Sequence, residues 1–244
     1  MRVSAVVNVS GEGMLLNAAL ESAIRSIGSS GFAQDCELII VADNASRLTL
    51  DTLHAYQEHT ARVIETDFAD LGPARNAGVN AATGDLVLFL DGDDLWGRNW
   101  VRACWEASRT TPVASVMHPQ YCVYFGGSKL LVAHPDWRDQ GFDIRGIITD
   151  NYWSALCGAP RSILIETPYP AADHRLRFGY EDWSWNAETW ARGVRHVTVS
   201  GTVHFIRVKQ VASMQTDMLA FEPIPSVAFA EYLAWDSPSR PHDL

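Results

Sequence analysis

Val3 to Val9, Cys36 to Ala42 and Leu86 to Leu90 are nearly unbroken apolar runs of strand length, each ending in polar residues. Such runs fit strands buried on both faces of a sheet. Between them the spacing becomes helical. Leu16, Leu20, Ala23, Ile24 and Ile27 form a stripe over Met14 to Ile27, and an amphipathic segment covers about Thr49 to His59. Arg62 to Glu65 is a short third strand. Gly72 to Ala82 opens with Pro73, suited to a first helical turn, and is closed by Gly84. This alternation over the first hundred residues predicts βαβ units on a parallel sheet.

After a predicted helix over Asn99 to Thr110 the pattern changes. Ala114 to Met117, Gln120 to Phe125 and Lys129 to Val132 predict antiparallel or mixed strands, with Gly126-Gly127 at a turn. A helix is expected over Glu181 to Arg192, stopped by Gly193, then strands over Val194 to Val199 and Thr202 to Ile206. From Asp217 onward, Pro223, Pro225, Pro238 and Pro241 leave room for a short helix around Ser226 to Ala234 and a loose tail. No Pro/Gly/Ser-rich linker separates the halves. One α/β domain over 1–215 with two lobes, 1–98 and 99–215, is therefore expected, followed by a tail over 216–244.

The charge balance narrows the partners. A formal net charge of −10 over 244 residues argues against nucleic acid, which requires a basic surface. It leaves room for a nucleotide sugar, whose diphosphate one metal ion and one or two basic residues can neutralise. With 47% hydrophobic and 20% charged residues the composition is that of a soluble globular protein. No run approaches the roughly 18 apolar residues of a membrane span. The first residues form a strand and not a signal peptide. Cys36, Cys104, Cys122 and Cys157 are scattered without CxxC spacing, which fits buried thiols in a reducing cytoplasm and not a zinc site.

The chemistry sits where strands end. Leu86 to Leu90 runs into Asp91, Asp93 and Asp94, three carboxylates that repel one another unless a cation or solvent relieves them. Ligands of open α/β sheets bind in the crevice beyond the carboxyl ends of the strands. Hard oxygen ligands there suit a divalent cation shared with substrate phosphates. Three further features share that rim: the turn from Asn8 to Gly13, the Asp43-Asn44 pair, and Arg75-Asn76 in the Gly72 helix. Taken singly, Asp43 and Asn44 fit turn formers and caps, and Arg75 fits a solvated helix residue. Glu181 and Asp182 begin a Trp-rich helix, either as partners of its dipole or as a general base near the acidic cluster.

In order and spacing, VSAVVNVSGEG, ELIIVADNAS, GPARNAGVNAATGDLVLFLDGDD and GYEDWSWNAETWARG resemble the GT-A-fold, inverting glycosyltransferases of family two. The resemblance covers about residues 3 to 215. It implies a Rossmann-like donor lobe (1–98), a smaller mixed-strand acceptor lobe (99–215), a nucleotide-diphosphate sugar as donor, and Mn2+ or Mg2+ as cofactor. It implies Asp93 as principal metal ligand with Asp91 beside it near the donor sugar or ribose, Asp182 as catalytic base, and Glu181 orienting the acceptor or a loop. Arg75 would lie near the diphosphate. Val9, Ser10, Glu12, Asp43 and Asn44 would flank the base. His204, Arg207 and Lys209, in a segment resembling the family's later loop, would contact metal or diphosphate. Relatives commonly carry an acid where Asn44 stands, so the resemblance does not fix uracil as the base. The acceptor would be a glycan, a lipid-linked glycan or a small molecule. A cytoplasmic enzyme, peripheral to the membrane, is expected. Outside this family, a GT-A-like nucleotidyltransferase or a non-catalytic nucleotide-sugar-binding domain would share part of the pattern; SGEG lacks the basic residue that a triphosphate site uses.

Overall fold

The computed structural model describes residues 1–111, 113–172, 180–209, 229 and 232. The strands, in chain order, are β1 (Val3–Val9), β2 (Cys36–Asp43), β3 (Arg62–Thr66), β4 (Leu86–Asp91), β5 (Leu95–Trp96), β6 (Ser115–Gly126), β7 (Leu130–Ala133), β8 (Gly158–Pro160) and β9 (Arg195–Val208). The α-helices are α1 (Leu16–Gly28), α2 (Arg47–Leu53), α3 (Leu71–Ala81), α4 (Trp100–Thr110), α5 (Arg161–Glu166) and α6 (Glu181–Ala191). One sheet runs β3-β2-β1-β4-β8-β6-β9-β5, with β7 added to β6. The first four strands are parallel, β8 is antiparallel to its neighbours β4 and β6, and β6 and β9 are parallel.

The apolar runs explain the layering. Ala5, Val7, Leu88 and Leu90 face α1 and α4, whereas Val6, Ile39, Val87 and Phe89 face α3, α5 and Trp185 of α6. Strands covered on both faces must be apolar at every position, so no alternation appears. Helix α3 lies close upon β1: a Cβ added to Gly78 would stand 2.4 Å from Val6 Cγ1. A third cluster joins Ile147, Trp153, Ala187, Trp190 and Phe229.

Several boundaries differ from expectation for identifiable reasons. Helix α3 begins at Leu71 because Asp70 caps it, its side chain accepting from the Gly72 N–H at 3.1 Å. Past Leu53 the second helix tightens into a 3-10 turn, His54–His59. The two strands expected between Ala114 and Phe125 are one, kinked by a register shift between Pro119 and Tyr121, where proline cannot donate to the ladder. Likewise Val194 to Ile206 is a single strand that passes through Gly201 at φ 72. Strand β8 and helix α5 carried no clear pattern. The short helix expected around Ser226 to Ala234 and the tail over 216–244 lie outside the described residues, save Phe229 and Tyr232. Among the described residues no helix is long and apolar enough to cross a membrane.

Candidate active site

Asp91, Asp93 and Asp94 leave the end of β4 together, and each finds a different partner. Asp91 accepts from Arg75 Nη2 at 3.1 Å through both oxygens. Asp94 accepts the Arg207 N–H of β9 at 2.6 Å, tying the acidic turn to that strand. Asp93 pairs with Lys209, whose Nζ lies 3.1 Å from Oδ2. Burial, then the neighbouring carboxylates, push the Asp94 acid well above its ordinary range. Of the three, only Asp93 depends on a cation that is itself half-exposed.

Arg75 is wholly buried, and its guanidinium bridges Asp91 on β4 and Glu181 on α6. That bridge brings the amino terminus of α6 to the carboxyl end of β4. Glu181 is consequently an ion-pair partner at the rim and not a group free to meet an acceptor. Arg75, expected at the diphosphate, lines the larger cavity with no exposed surface, its guanidinium held by the two carboxylates on neighbouring elements. Lys209, by contrast, is exposed and reaches the open side.

Asp182 follows Glu181 and lines the same crevice, partly accessible. The Trp183 N–H reaches its Oδ1 at 2.8 Å and Asn151 Nδ2 its Oδ2 at 3.0 Å. Burial foremost, then the adjacent Glu181, push this acid up to about 7, against the pull of Arg75 and the two hydrogen bonds.

Two cavities meet at the acidic turn. The larger, about 430 Å³, is lined by Glu181, Asp182 and Asn151 among others. The smaller, about 380 Å³, is lined by Ser10, Glu12, Asn44 and Ala69 among others. Leu71, Asp91, Asp93 and Lys209 line both, so the Asp93–Lys209 pair stands at their junction. Val9 and Asp43 also line the smaller cavity, each turned to another task. Val9 packs into the α1 side of the core. The Asp43 carboxylate holds the loop before α3, accepting from Thr66 Oγ1 and Phe68 N at 2.8 Å and from Asp70 N at 3.1 Å. Burial raises the Glu12 acid, which accepts from Ser10 N.

The non-glycine residues with positive φ are Asn44, Ala69 and Tyr180 among those described, and all three line these cavities. Asparagine tolerates that region, but alanine and tyrosine hold it at a cost of order 1–3 kcal/mol each. Backbone strain is thus concentrated at the crevice.

His204, expected as a metal ligand, is not brought there. It is fully buried, stacked on Trp96 and edge-on to Trp100 at 4.4 Å between centroids, and lines neither cavity. The alternation of β9 turns it into the core while Lys209, beyond the strand's end, turns out. Burial holds the His204 imidazole well below its usual range, hence neutral. Arg207 lines the larger cavity, but its guanidinium lies 4.6 Å from the Phe125 ring centroid.

Asn8, at the rim turn expected from the sequence, stands next to last in β1 beside Asp91, buried with both amide atoms unpaired. Two residues of the crevice carry little sequence signal. Asn151 and Tyr124, which also line the larger cavity, sit in stretches without a motif.

Among the described residues no group of three His, Cys, Asp or Glu side chains is arranged to hold a metal ion alone. Asp93 and Asp91 offer two carboxylates. That donor set fits a divalent cation whose remaining ligands are substrate phosphates and water.

These features define an acidic crevice at the carboxyl ends of the strands of a mixed α/β sheet, and comparison with known proteins supplies the family. The model of the family described as glycosyl transferase family 2 matches residues 4–166, and the chain belongs to that family. An uncharacterized glycosyltransferase of Nostoc sp. is 31% identical over 121 residues, 48% of this chain and 36% of that protein. The succinoglycan biosynthesis protein ExoM of Rhizobium meliloti is 28% identical over 105 residues, 41% of this chain and 34% of that one. The chain thus spans about a third of the length of these relatives. Among solved structures, Staphylococcus aureus TarS in complex with UDP-GlcNAc superposes with a TM-score of 0.70 at 17% identity, over 88% of this chain and 61% of that one. The mannosyltransferase PcManGT of Pyrobaculum calidifontis, in complex with GDP-Man and Mn2+, superposes with a TM-score of 0.65 at 15% identity, over 98% and 66%. These likenesses show the fold: a mixed α/β domain with a mostly parallel sheet, as expected.

Proposed function

We propose that the protein moves a sugar from a nucleotide-diphosphate sugar to an acceptor hydroxyl, with inversion and with a divalent cation. The observation that carries this reading is Asp182: a carboxyl pushed up to about 7 in the cavity that also holds Asp91 and Asp93. A group that titrates near neutrality is suited to general-base work.

The nucleoside occupies the smaller cavity, flanked by Ser10, Glu12 and Asn44. The diphosphate lies at the junction, where Lys209 neutralises it. Sugar and acceptor share the larger cavity. Asp182 accepts the proton of the attacking hydroxyl as that oxygen approaches the anomeric carbon opposite the leaving diphosphate. Asp93, with Asp91, would hold Mn2+ or Mg2+, which when bound supplies Lewis-acid neutralisation of charge on the leaving group. Arg75 keeps Asp91 and Glu181 in register, so it acts by position. Residues 1–98 form the donor lobe and 99–215 the acceptor lobe, Asp182 belonging to the latter.

The solved neighbours support a nucleotide sugar, as UDP-GlcNAc in one and GDP-Man with Mn2+ in the other. They differ in base, and so do not choose one here. The acceptor class stays a glycan, a lipid-linked glycan or a small molecule, and the enzyme works in the cytoplasm, peripheral to the membrane. The test is a panel of nucleotide sugars with manganese. Slow release of nucleoside diphosphate from one donor, reduced at least tenfold by Asp93→Ala, is expected. Release of pyrophosphate from sugar phosphate plus nucleoside triphosphate would instead establish a nucleotidyltransferase.

A further inference from the structure

The segment Asn151 to Trp153 lies against the face of α6 that carries Asp182. Asp182 and Asn186 are four residues apart and therefore share that face. Asn186 Nδ2 donates to the Trp153 carbonyl at 3.2 Å and approaches Asn151 Oδ1 at 3.4 Å. Asn151 in turn donates through Nδ2 to Asp182 Oδ2 at 3.0 Å. The acceptors at both ends of this relay are a carbonyl and a carboxylate, which fixes the orientation of both amides. Trp153 anchors the segment from behind, fully buried, donating from Nε1 to the Pro135 carbonyl at 2.8 Å and stacking on His196 at 4.3 Å.

We propose that Asn151 is the positioning residue for Asp182, held by Asn186, and that its amide fixes the carboxylate for proton transfer. The proposal rests on Asp182 being the general base. With the Trp183 N–H on Oδ1 and Asn151 on Oδ2, both oxygens are tethered, so the carboxylate plane cannot turn. Each oxygen keeps a second lone pair for the acceptor proton. The Asn151 donor also favours the ionised acid, the form that accepts a proton, opposing burial. The other groups that face Asp182 are Glu181 and Tyr180 at the start of α6, Arg75 from α3, Tyr124 from β6, and Cys157 and Tyr169 from the chain flanking β8 and α5.

The test is a carbon-13 carboxyl titration of the full chain, with the Asp182 signal assigned by its loss in Asp182→Asn. Asn151→Leu, of similar shape but without a donor, should move the Asp182 midpoint up by about one pH unit. Asn151→Asp should move it further by placing a second carboxyl beside it. Asn186→Leu should move it less. The ascending limb of donor hydrolysis should shift by the same amounts, with the donor KM changed less than about twofold. A purely structural role would lower the melting temperature and leave the midpoint in place. If Asn151→Leu fails to fold, Asn151→Ala, which also removes the donor without adding charge, decides the matter. An unmoved midpoint in either folded variant, with Asp182→Asn inactive, overturns the role of Asn151 alone. Turnover retained by Asp182→Asn overturns the base itself, and with it the positioning role.

Discussion

Across β1, β2 and β4 the fully buried side chains are aliphatic or aromatic, apart from Ser4, until Asn8, Asp43 and Asp91 at the crevice. Strands β6 and β9 and helix α6 are built otherwise: His118, His196, His204, Asn186 and Thr189 are all buried along their length. These polar groups are chained. Thr189 Oγ1 sits 2.9 Å from His196 Nε2, and His196 Nδ1 sits 2.9 Å from His118 Nε2. The Thr189 hydroxyl donates back to carbonyls of its own helix, so it accepts from His196. His196 then accepts from His118, and both rings are neutral in a single tautomer. The first half is thus a platform whose shape rests on apolar area, whereas the second half rests on a ladder that one extra proton breaks.

That contrast also sets what the sequence reveals. Continuous apolar runs mark β1, β2 and β4 without help from tertiary context, and their polar ends mark the crevice. In the second half, burial is shared among aromatic, histidine and amide side chains, whose pairing depends on residues tens of positions away. Pro119 and Gly201 each divide one strand into two apparent ones. The acids of the crevice were legible, but their partners were not. That Arg75 is consumed by Asp91 and Glu181, or that His204 turns inward while Lys209 turns out, is decided by register and packing. Asn151 has no local pattern because its meaning lies in contacts with Asp182 and Asn186.

The largest effect should come from cutting the buried ion-pair network of Arg75, which joins β4 to α6. Arg75→Met leaves Asp91 and Glu181 without their cation, and loss of one partner of a buried pair costs about 3–5 kcal/mol. Chemical denaturation should show that loss; a variant as stable as wild type would mean the halves are not joined there.

Acid should act next, on the ladder and on His134, whose ring lies edge-on to His118 at 5.8 Å between centroids. Burial depresses His196 to about 3 and His134 to about 4, below an unfolded value near 6.5. Below that value the unfolded chain binds protons that the folded chain does not, so stability falls as pH drops from about 6.5 towards those folded values. Each histidine removes at most about 1.4 kcal/mol per pH unit in that window. Melting temperatures measured between pH 7.5 and pH 4.5 should fall, with hydrogen exchange in β6 and β9 rising before that in β1 and β4. Uniform exchange across the sheet would erase the distinction between the halves.

Asp182 has the opposite sign. Its folded value lies above its unfolded one, so its stabilising contribution is complete in acid and is lost as pH rises through about 7. Asp182→Asn should therefore melt at or above the wild-type temperature at pH 8, and a clear drop would contradict the raised value. The smallest effect belongs to Lys209→Met, which removes a half-exposed partner of Asp93. Stability should change by less than about 1 kcal/mol, while affinity for nucleoside diphosphate falls several-fold. Unchanged affinity would remove Lys209 from the diphosphate.

In the proposed reaction the carboxyl that receives the proton and the carboxyls that face the diphosphate are separate groups in one crevice. The most direct test compares wild type with Asp182→Asn for binding of the nucleotide sugar and for release of nucleoside diphosphate. Affinity within about twofold, with release lowered by roughly 10²- to 10⁴-fold, is the predicted result. Release at the wild-type rate would contradict it.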